Sequence, residues 1–168
     1  MNLKNILTVG VVIAIAAGIL FARGQAISSE QPVSSRDNGD VVTVYKTEAC
    51  GCCLKWVDHL KANGLEVDVV NVASTAPTRE RFGVPSKLLS CHTGTIHGYW
   101  VEGHVPADLV KKLIAEKPDD IRGISAPGMP MGSPGMEGPN PVQYDIVAYH
   151  ADGTTSVYAT RQGKETVE

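Results

Sequence analysis

The sequence predicts an α/β protein: a central mixed sheet with flanking helices, then a Pro/Gly/Met-rich loop and a C-terminal β-hairpin. Three observations point there. Short β-branched runs alternate with helix-forming runs from residue 41 to residue 116. A stretch dense in proline and glycine, 125–141, breaks that alternation. Beyond it, two strand-like runs flank Ala151-Asp152-Gly153, a hairpin turn. The 168 residues suffice for one core of ordinary size. A net charge of -3 and a pI near 5.9 exclude a basic nucleic-acid surface.

Met1 to Ala26 reads as an export segment. Lys4 supplies a positive start, Ile6 to Ala22 is apolar apart from Thr8 and small glycines, and Arg23 closes the run. It is a signal peptide, with Gly24-Gln25-Ala26 as a small-residue cleavage site, or an uncleaved anchor touching the membrane only through residues 6–22. Either way the functional part faces an oxidising compartment, the bacterial periplasm. Residues 27–40 are Ser-rich and polar, a flexible linker. The folded domain is expected over 41–160, with 161–168 a polar tail.

Val41 to Tyr45 is β-branched and aromatic, a strand. Leu54 to Lys61 is rich in helix formers and stops at Asn63-Gly64. Glu66 to Val72 is a second strand, whose four valines suit burial on both faces of a parallel sheet. Ser74 to Phe82 is a short helix closed by Gly83. Val84-Pro85 then opens a strand over Ser86 to Cys91, Thr93-Gly94 makes a turn, and Ile96 to Val101 returns. Pro106 suits the first position of a helix over Ala107 to Glu116, with Leu109, Val110, Leu113 and Ile114 on one face. The order β-α-β-α-β-β-α resembles the thioredoxin-like fold. In that resemblance Pro85 corresponds to the cis-proline that faces the cysteine motif.

The chemistry centres on Cys50-Gly51-Cys52-Cys53, three thiols where a strand hands over to a helix. Amide N–H groups and the helix dipole there favour thiolate, the form that attacks disulfides and binds metal. Cys50 and Cys53 make Cys-x-x-Cys, a redox spacing; Cys50 and Cys52 make Cys-x-Cys, common at soft-metal sites. A structural disulfide with an idle third thiol, a redox pair and a soft-metal site all fit. Cys91, followed at once by His92, is a small core residue or a fourth sulfur. Four sulfurs near one point would suit copper(I) or zinc, and three thiols so close in sequence disfavour one zinc tetrahedron.

Met129, Met131 and Met136 lie in the late loop. Thioether favours copper(I) over zinc, so these methionines are copper ligands or hydrophobic plugs holding the loop to the sheet. His59 and His150 read as surface residues; His92, His97 and His104 lie nearer the motif and, as a set beside Cys91, are structural histidines or further copper ligands, since imidazole also suits copper.

Four motifs then occur in order: Tyr45-Lys46-x-x-x-Cys50-Gly51-Cys52-Cys53-x-Lys55-Trp56; Val84-Pro85-x-x-Leu88-x-Ser90-Cys91-His92-Thr93; Glu102-Gly103-His104-Val105-Pro106-Ala107; and Ala126-Pro127-Gly128-Met129-Pro130-x-Gly132-Ser133-Pro134-Gly135-Met136-Glu137. Together they resemble the CopG-type periplasmic metal-binding proteins, catalogued as a family of unknown function. The resemblance covers about residues 41 to 160. It implies a thioredoxin-like fold, export, an association with copper resistance, and copper in a sulfur-bridged cluster. Carried over, the ligands are Cys50, Cys52, Cys53 and Cys91, with Met129 and Met136 matching the loop motif; Met131 and His97 fall outside it. The leading expectation is a periplasmic copper(I)-binding protein, holding one ion or a multinuclear cluster, that exchanges copper with other periplasmic copper-handling proteins. The alternative is a thiol–disulfide oxidoreductase in which Cys50 attacks, Cys53 resolves and Pro85 shapes the substrate groove. A hybrid couples copper to thiol redox chemistry.

Overall fold

The computed structural model describes residues 40–163 and 165–167, so the readings for 1–39 fall outside the described residues. The described chain is mixed α/β, with one eight-stranded sheet and three α-helices among the described residues. Strand β1 (Val41–Lys46) leads into helix α1 (Gly51–Ala62), followed by β2 (Glu66–Asn71) and α2 (Ala76–Phe82). A 3-10 turn, Ser86–Leu88, precedes β3 (Thr93–Ile96) and β4 (Tyr99–Glu102). Helix α3 (Ala107–Glu116), β5 (Ile121–Ser125), β6 (Gln143–His150), β7 (Thr155–Gln162) and β8 (Glu165–Val167) complete the order. No helix among the described residues is long and apolar enough to cross a membrane.

The sheet runs β2-β1-β3-β4-β5-β6-β7-β8. β1 pairs parallel with β2 and antiparallel with β3. β3 and β4 form a hairpin, β5 joins β4 in parallel, and β6 to β8 add on antiparallel. The core lies between the sheet and α1 and α3. Val42, Val44, Trp56, Leu60, Val101, Val110, Leu113, Ile124 and Ile146 are fully enclosed there, each apolar chain worth about 1.5–3 kcal/mol when buried.

Several elements differ from the sequence expectation. β2 is not buried on both faces: it is an edge strand with β1 alone beside it, and Val69 and Val70 are exposed. Ser86 to Cys91 is not a strand. The Leu88 N–H donates to the Pro85 carbonyl at 2.9 Å, which closes a 3-10 turn instead. Pro85 therefore caps that turn rather than opening a strand, and no peptide bond among the described residues is cis.

The hairpin turn is His97-Gly98, not Thr93-Gly94. Both turn residues have positive φ, 49° and 82°, the conformation of a two-residue hairpin loop matched to strand twist. β5 went unpredicted because Arg122 and Gly123 interrupt its apolar pattern. Gly123 is required there, since a Cβ would fall inside the indole of Trp100. β8 pairs with β7 from within the expected polar tail. The β6–β7 hairpin and the apolar face of α3 match the pattern read from the sequence.

Candidate metal centre

The register of the sheet explains why two distant cysteine segments meet. Tyr45 on β1 pairs with Thr93 on β3, and the strands are antiparallel. Chain leaving β1 toward Cys50 and chain entering β3 from Cys91 therefore occupy the same end of the sheet. Cys50 is the N-cap of α1, and Cys52 and Cys53 lie in its first turn. Cys91 sits in the irregular segment between the 3-10 turn and β3.

That segment is held from several sides. Glu102 is fully buried; its Oε1 accepts from Arg79 Nε at 3.0 Å and from the Ser90 amide at 2.8 Å. Its Oε2 accepts the Thr93 hydroxyl at 2.6 Å. Arg79 also donates to the Ser90 carbonyl, and Ser90 Oγ donates to the Gly128 carbonyl. Ser125 Oγ donates to the Leu88 carbonyl at 2.6 Å, and the Gly128 amide donates to the Leu89 carbonyl at 2.9 Å. The Ser90 amide and carbonyl and the Leu88 and Leu89 carbonyls of this irregular backbone thus each have a partner. Burial raises the Glu102 carboxyl, while Thr93, Ser90 and Arg79 pull it back.

The four sulfurs of Cys50, Cys52, Cys53 and Cys91 all lie within 4.8 Å of one another. Cys50 and Cys53 are joined in a disulfide, with Cα atoms 5.4 Å apart; Cys52 and Cys91 are free. Cys52 Sγ lies 3.5 Å from Cys50 Sγ and Cys91 Sγ 3.6 Å from Cys53 Sγ, and the two free thiols are themselves within 4.8 Å of each other. Cys53 is buried and the other three are half-buried, so the cluster reaches the surface. Burial, with the neighbouring Cys52, pushes the Cys91 thiol up to about 12, so it is a thiol rather than thiolate at neutral pH.

Two histidines join Cys91. His92 Nδ1 lies 3.2 Å and His104 Nε2 3.1 Å from its sulfur. His92 is enclosed beneath Trp56, ring centroids 4.4 Å apart, and burial with His104 nearby lowers its pKa to about 3. Burial lowers His104 too. Trp56 is itself pinned by its Nε1–H, which donates to the Val105 carbonyl at 2.7 Å.

The Pro/Gly/Met loop packs on this cluster. His104 Nδ1 lies 2.8 Å from the Pro134 carbonyl. At Gly135, φ 86°, an added Cβ would sit 2.8 Å from the Cys52 carbonyl oxygen and 2.9 Å from the Trp56 amide. Only glycine lets the loop come this close to the first turn of α1. Met136, the next residue, is half-buried, whereas Met129 and Met131 are exposed.

The remaining histidines stand apart. His97 pairs with Asp40 at 2.8 Å, and His150 with Asp120 at 3.0 Å. His59 is half-buried rather than a plain surface residue: its Nε2 accepts the Ala107 amide at 3.0 Å at the start of α3. Sequence reasoning missed the Arg79–Glu102 brace. Glu102 stands just past the strand read from the sequence, within the Glu102-Gly103-His104 motif, and Arg79 carries no signal of its own.

Two solved structures, titled copper resistance protein CopG form 2 and form 1, are each 43% identical to this chain with a TM-score of 0.68. The match spans 97% of form 2 and 98% of form 1, and 72% and 73% of this chain respectively. The chain belongs to the CopG family. The family described as "Protein of unknown function, DUF411" matches residues 88–136, a stretch that carries Cys91, His92, His104, Met129 and Met136. Among curated proteins, none matches. In this CopG-family chain the cysteine cluster offers a donor set of the soft type.

Proposed function

We propose that the protein is a periplasmic copper-handling protein of copper resistance that holds copper(I) on Cys50, Cys52, Cys53 and Cys91. The observation carrying this is the convergence of four sulfurs from two distant segments within 4.8 Å. Soft thiolates select copper(I), and bridging sulfurs let four of them hold more than one ion. The titles of the two related structures supply the link to copper resistance. Met136, beside the first turn of α1, and Met129, on the exposed part of the loop, are auxiliary thioether ligands. In this reading β1 to β4 with α1 and α3 are a thioredoxin-like frame extended by β5 to β8. Residues 1–26 direct export, 27–40 are a linker and 41–160 form the metal-binding domain. Copper passes to and from other periplasmic copper-handling proteins.

The disulfide defines a second state. A dithiol reductant supplies two electrons and two protons that open Cys50–Cys53 to two thiols and complete the four-sulfur set; copper(I) binding displaces the thiol protons, and re-forming the bridge passes two electrons to a disulfide oxidant and expels copper(I). The bridge also favours a second reading, because it joins the Cys-x-x-Cys pair a thiol–disulfide oxidoreductase would use. There Cys50 attacks and Cys53 resolves. Anaerobic reduction followed by copper counting separates the two. Copper(I) handling predicts more than one copper per chain, reduced by Cys52→Ser. No copper uptake, with insulin-reducing turnover abolished by Cys50→Ser and kept in Cys52→Ser, would contradict it and favour the oxidoreductase.

A further inference from the structure

The two edges of the sheet are finished differently. At one, β8 is three residues long. At the other, β2 presents six residues with β1 alone beside it among the described residues. An open edge is a template for another strand, and monomers commonly blunt it with lysine, proline, a bulge or a cover. β2 has no lysine and no proline, and its register with β1 runs unbroken from Glu66 to Asn71. Val69 and Val70, on opposite faces of the strand, are both exposed. We propose that β2 pairs antiparallel with β2 of a second copy of this chain, about a twofold axis through Val69, so that two eight-stranded sheets become one. Nothing in this pairing depends on copper.

The ladder with β1 fixes which backbone groups face outward. The Val72 amide donates to the Lys46 carbonyl at 2.9 Å, and Lys46 is the partner of Asn71. Backbone groups alternate sides along a strand, so Asp68 and Val70 turn theirs toward β1, as Val72 does. Val67, Val69 and Asn71 turn theirs outward. Two antiparallel copies exchange hydrogen bonds where outward residues face each other, which leaves few twofold registers. The charges of the strand, Glu66 and Asp68, choose among them. Centring on Glu66 or Asp68 sets a carboxylate against its own copy, and centring on Val67 sets Glu66 opposite Asp68. Like charges directly opposite are destabilising, which removes all of these. Centring on Val70 or beyond leaves Val67 facing residues past the end of the strand. Centring on Val69 pairs Val69 with itself and Val67 with Asn71, which engages every outward group in about six hydrogen bonds. On the other face Asp68 then meets Val70. The two Asp68 carboxylates become diagonal neighbours, with backbones roughly 7–8 Å apart, a weak repulsion that salt screens.

The pairing leaves the cysteine clusters open. β1 and β2 run parallel toward the end of the sheet that carries Cys50. An antiparallel second copy therefore carries its cysteines at the opposite end of the joined sheet. Val69 lies beside Val44 of β1, away from the loop that presents Cys50. Self-association and metal binding are thus independent properties of the chain.

The test uses the full chain as expressing cells process it, with amide exchange read residue by residue by NMR. In dilute solution Val67, Val69 and Asn71 should exchange faster than Asp68 and Val70, which are bonded to β1. Raising the protein concentration is expected to slow exchange at Val67, Val69 and Asn71 by about tenfold or more. Sedimentation equilibrium should show a monomer–dimer equilibrium that Val69→Pro abolishes. The amide lost in that variant faces away from β1, so the fold tolerates proline there. Val69→Lys, which sets two ammonium groups together on the axis, should abolish it as well. Asp68→Asn should tighten the dimer by roughly two- to fivefold, and added salt should act in the same direction. A wild-type chain that stays monomeric, with these amides unprotected at every concentration, leaves the edge to a different protein and overturns the proposal. Protection at every concentration in a monomer places another segment of the same chain on β2 and overturns it too. So does a dimer that survives both Val69 substitutions, since it is held elsewhere. Copper uptake by Val69→Pro should equal that of wild type, so this proposal and the copper(I) reading fail in different experiments.

Discussion

Cys53 Sγ and Cys91 Sγ lie 3.6 Å apart although 38 positions separate them in the chain. The antiparallel pairing of β1 with β3 creates that proximity, and the bridge to Cys50 leaves Cys91 outside it. Removing Cys50 should therefore redirect the bridge. In Cys50→Ser exposed to oxidised glutathione, the account predicts a Cys53–Cys91 disulfide, read by peptide mapping with mass spectrometry. Persistently free Cys53 and Cys91, or a bridge to glutathione alone, would show that the two sulfurs do not meet in solution.

The Arg79–Glu102 pair braces the Cys91 segment from beneath. Glu102 is fully enclosed and Arg79 half-buried, so cutting the pair leaves a buried carboxylate without its counter-charge. Arg79→Ala should cost about 3–5 kcal/mol in urea unfolding. A loss below about 1 kcal/mol would mean that the pair is solvated and does not hold the segment.

Gly135 sets how closely the loop approaches the cysteine helix. Gly135→Ala forces a Cβ against the Cys52 carbonyl and the Trp56 amide at a positive-φ position. The expected cost is about 1–3 kcal/mol, with faster amide exchange across 133–136. Unchanged exchange there would remove the loop from the site.

Acid should weaken the metal-free, disulfide-closed protein through His92. Its pKa falls from the ordinary 6.5 to about 3 on folding, so between those values the unfolded chain binds more protons. That contribution is whole above about pH 6.5 and is lost as pH falls toward about 3. His104 shifts in the same direction, whereas the raised Glu102 carboxyl acts in the opposite sense. The difference between wild type and His92→Phe isolates the effect: from about pH 7 to about pH 5, wild type should lose more stability in urea unfolding. Equal losses would contradict a neutral, enclosed His92.

Much of this was legible before the structure. The hairpin β6–β7 and helix α3 announce themselves through alternation and helical spacing, and three thiols in four positions announce chemistry. Pairing between distant segments is where sequence patterns stop. Ser86 to Leu89 has strand-like composition, but the Pro85 carbonyl captures the Leu88 amide and a 3-10 turn wins. The valines of β2 suggested full burial because residue type does not report a strand's place in the sheet order. Glycine concealed β5, since Gly123 is chosen for the face of Trp100 and not for strand propensity. The cysteines were readable as a cluster, yet which two would bridge, and that the imidazoles of His92 and His104 would converge on Cys91, depended on the β1–β3 register and the turn after β4.

Copper K-edge X-ray absorption of the reduced, copper(I)-loaded chain tests the central claim most directly. The account predicts a first shell made of sulfur, with fewer sulfurs per copper in Cys91→Ser than in wild type. A first shell of nitrogen or oxygen, or a sulfur shell indifferent to the loss of Cys91, would contradict it.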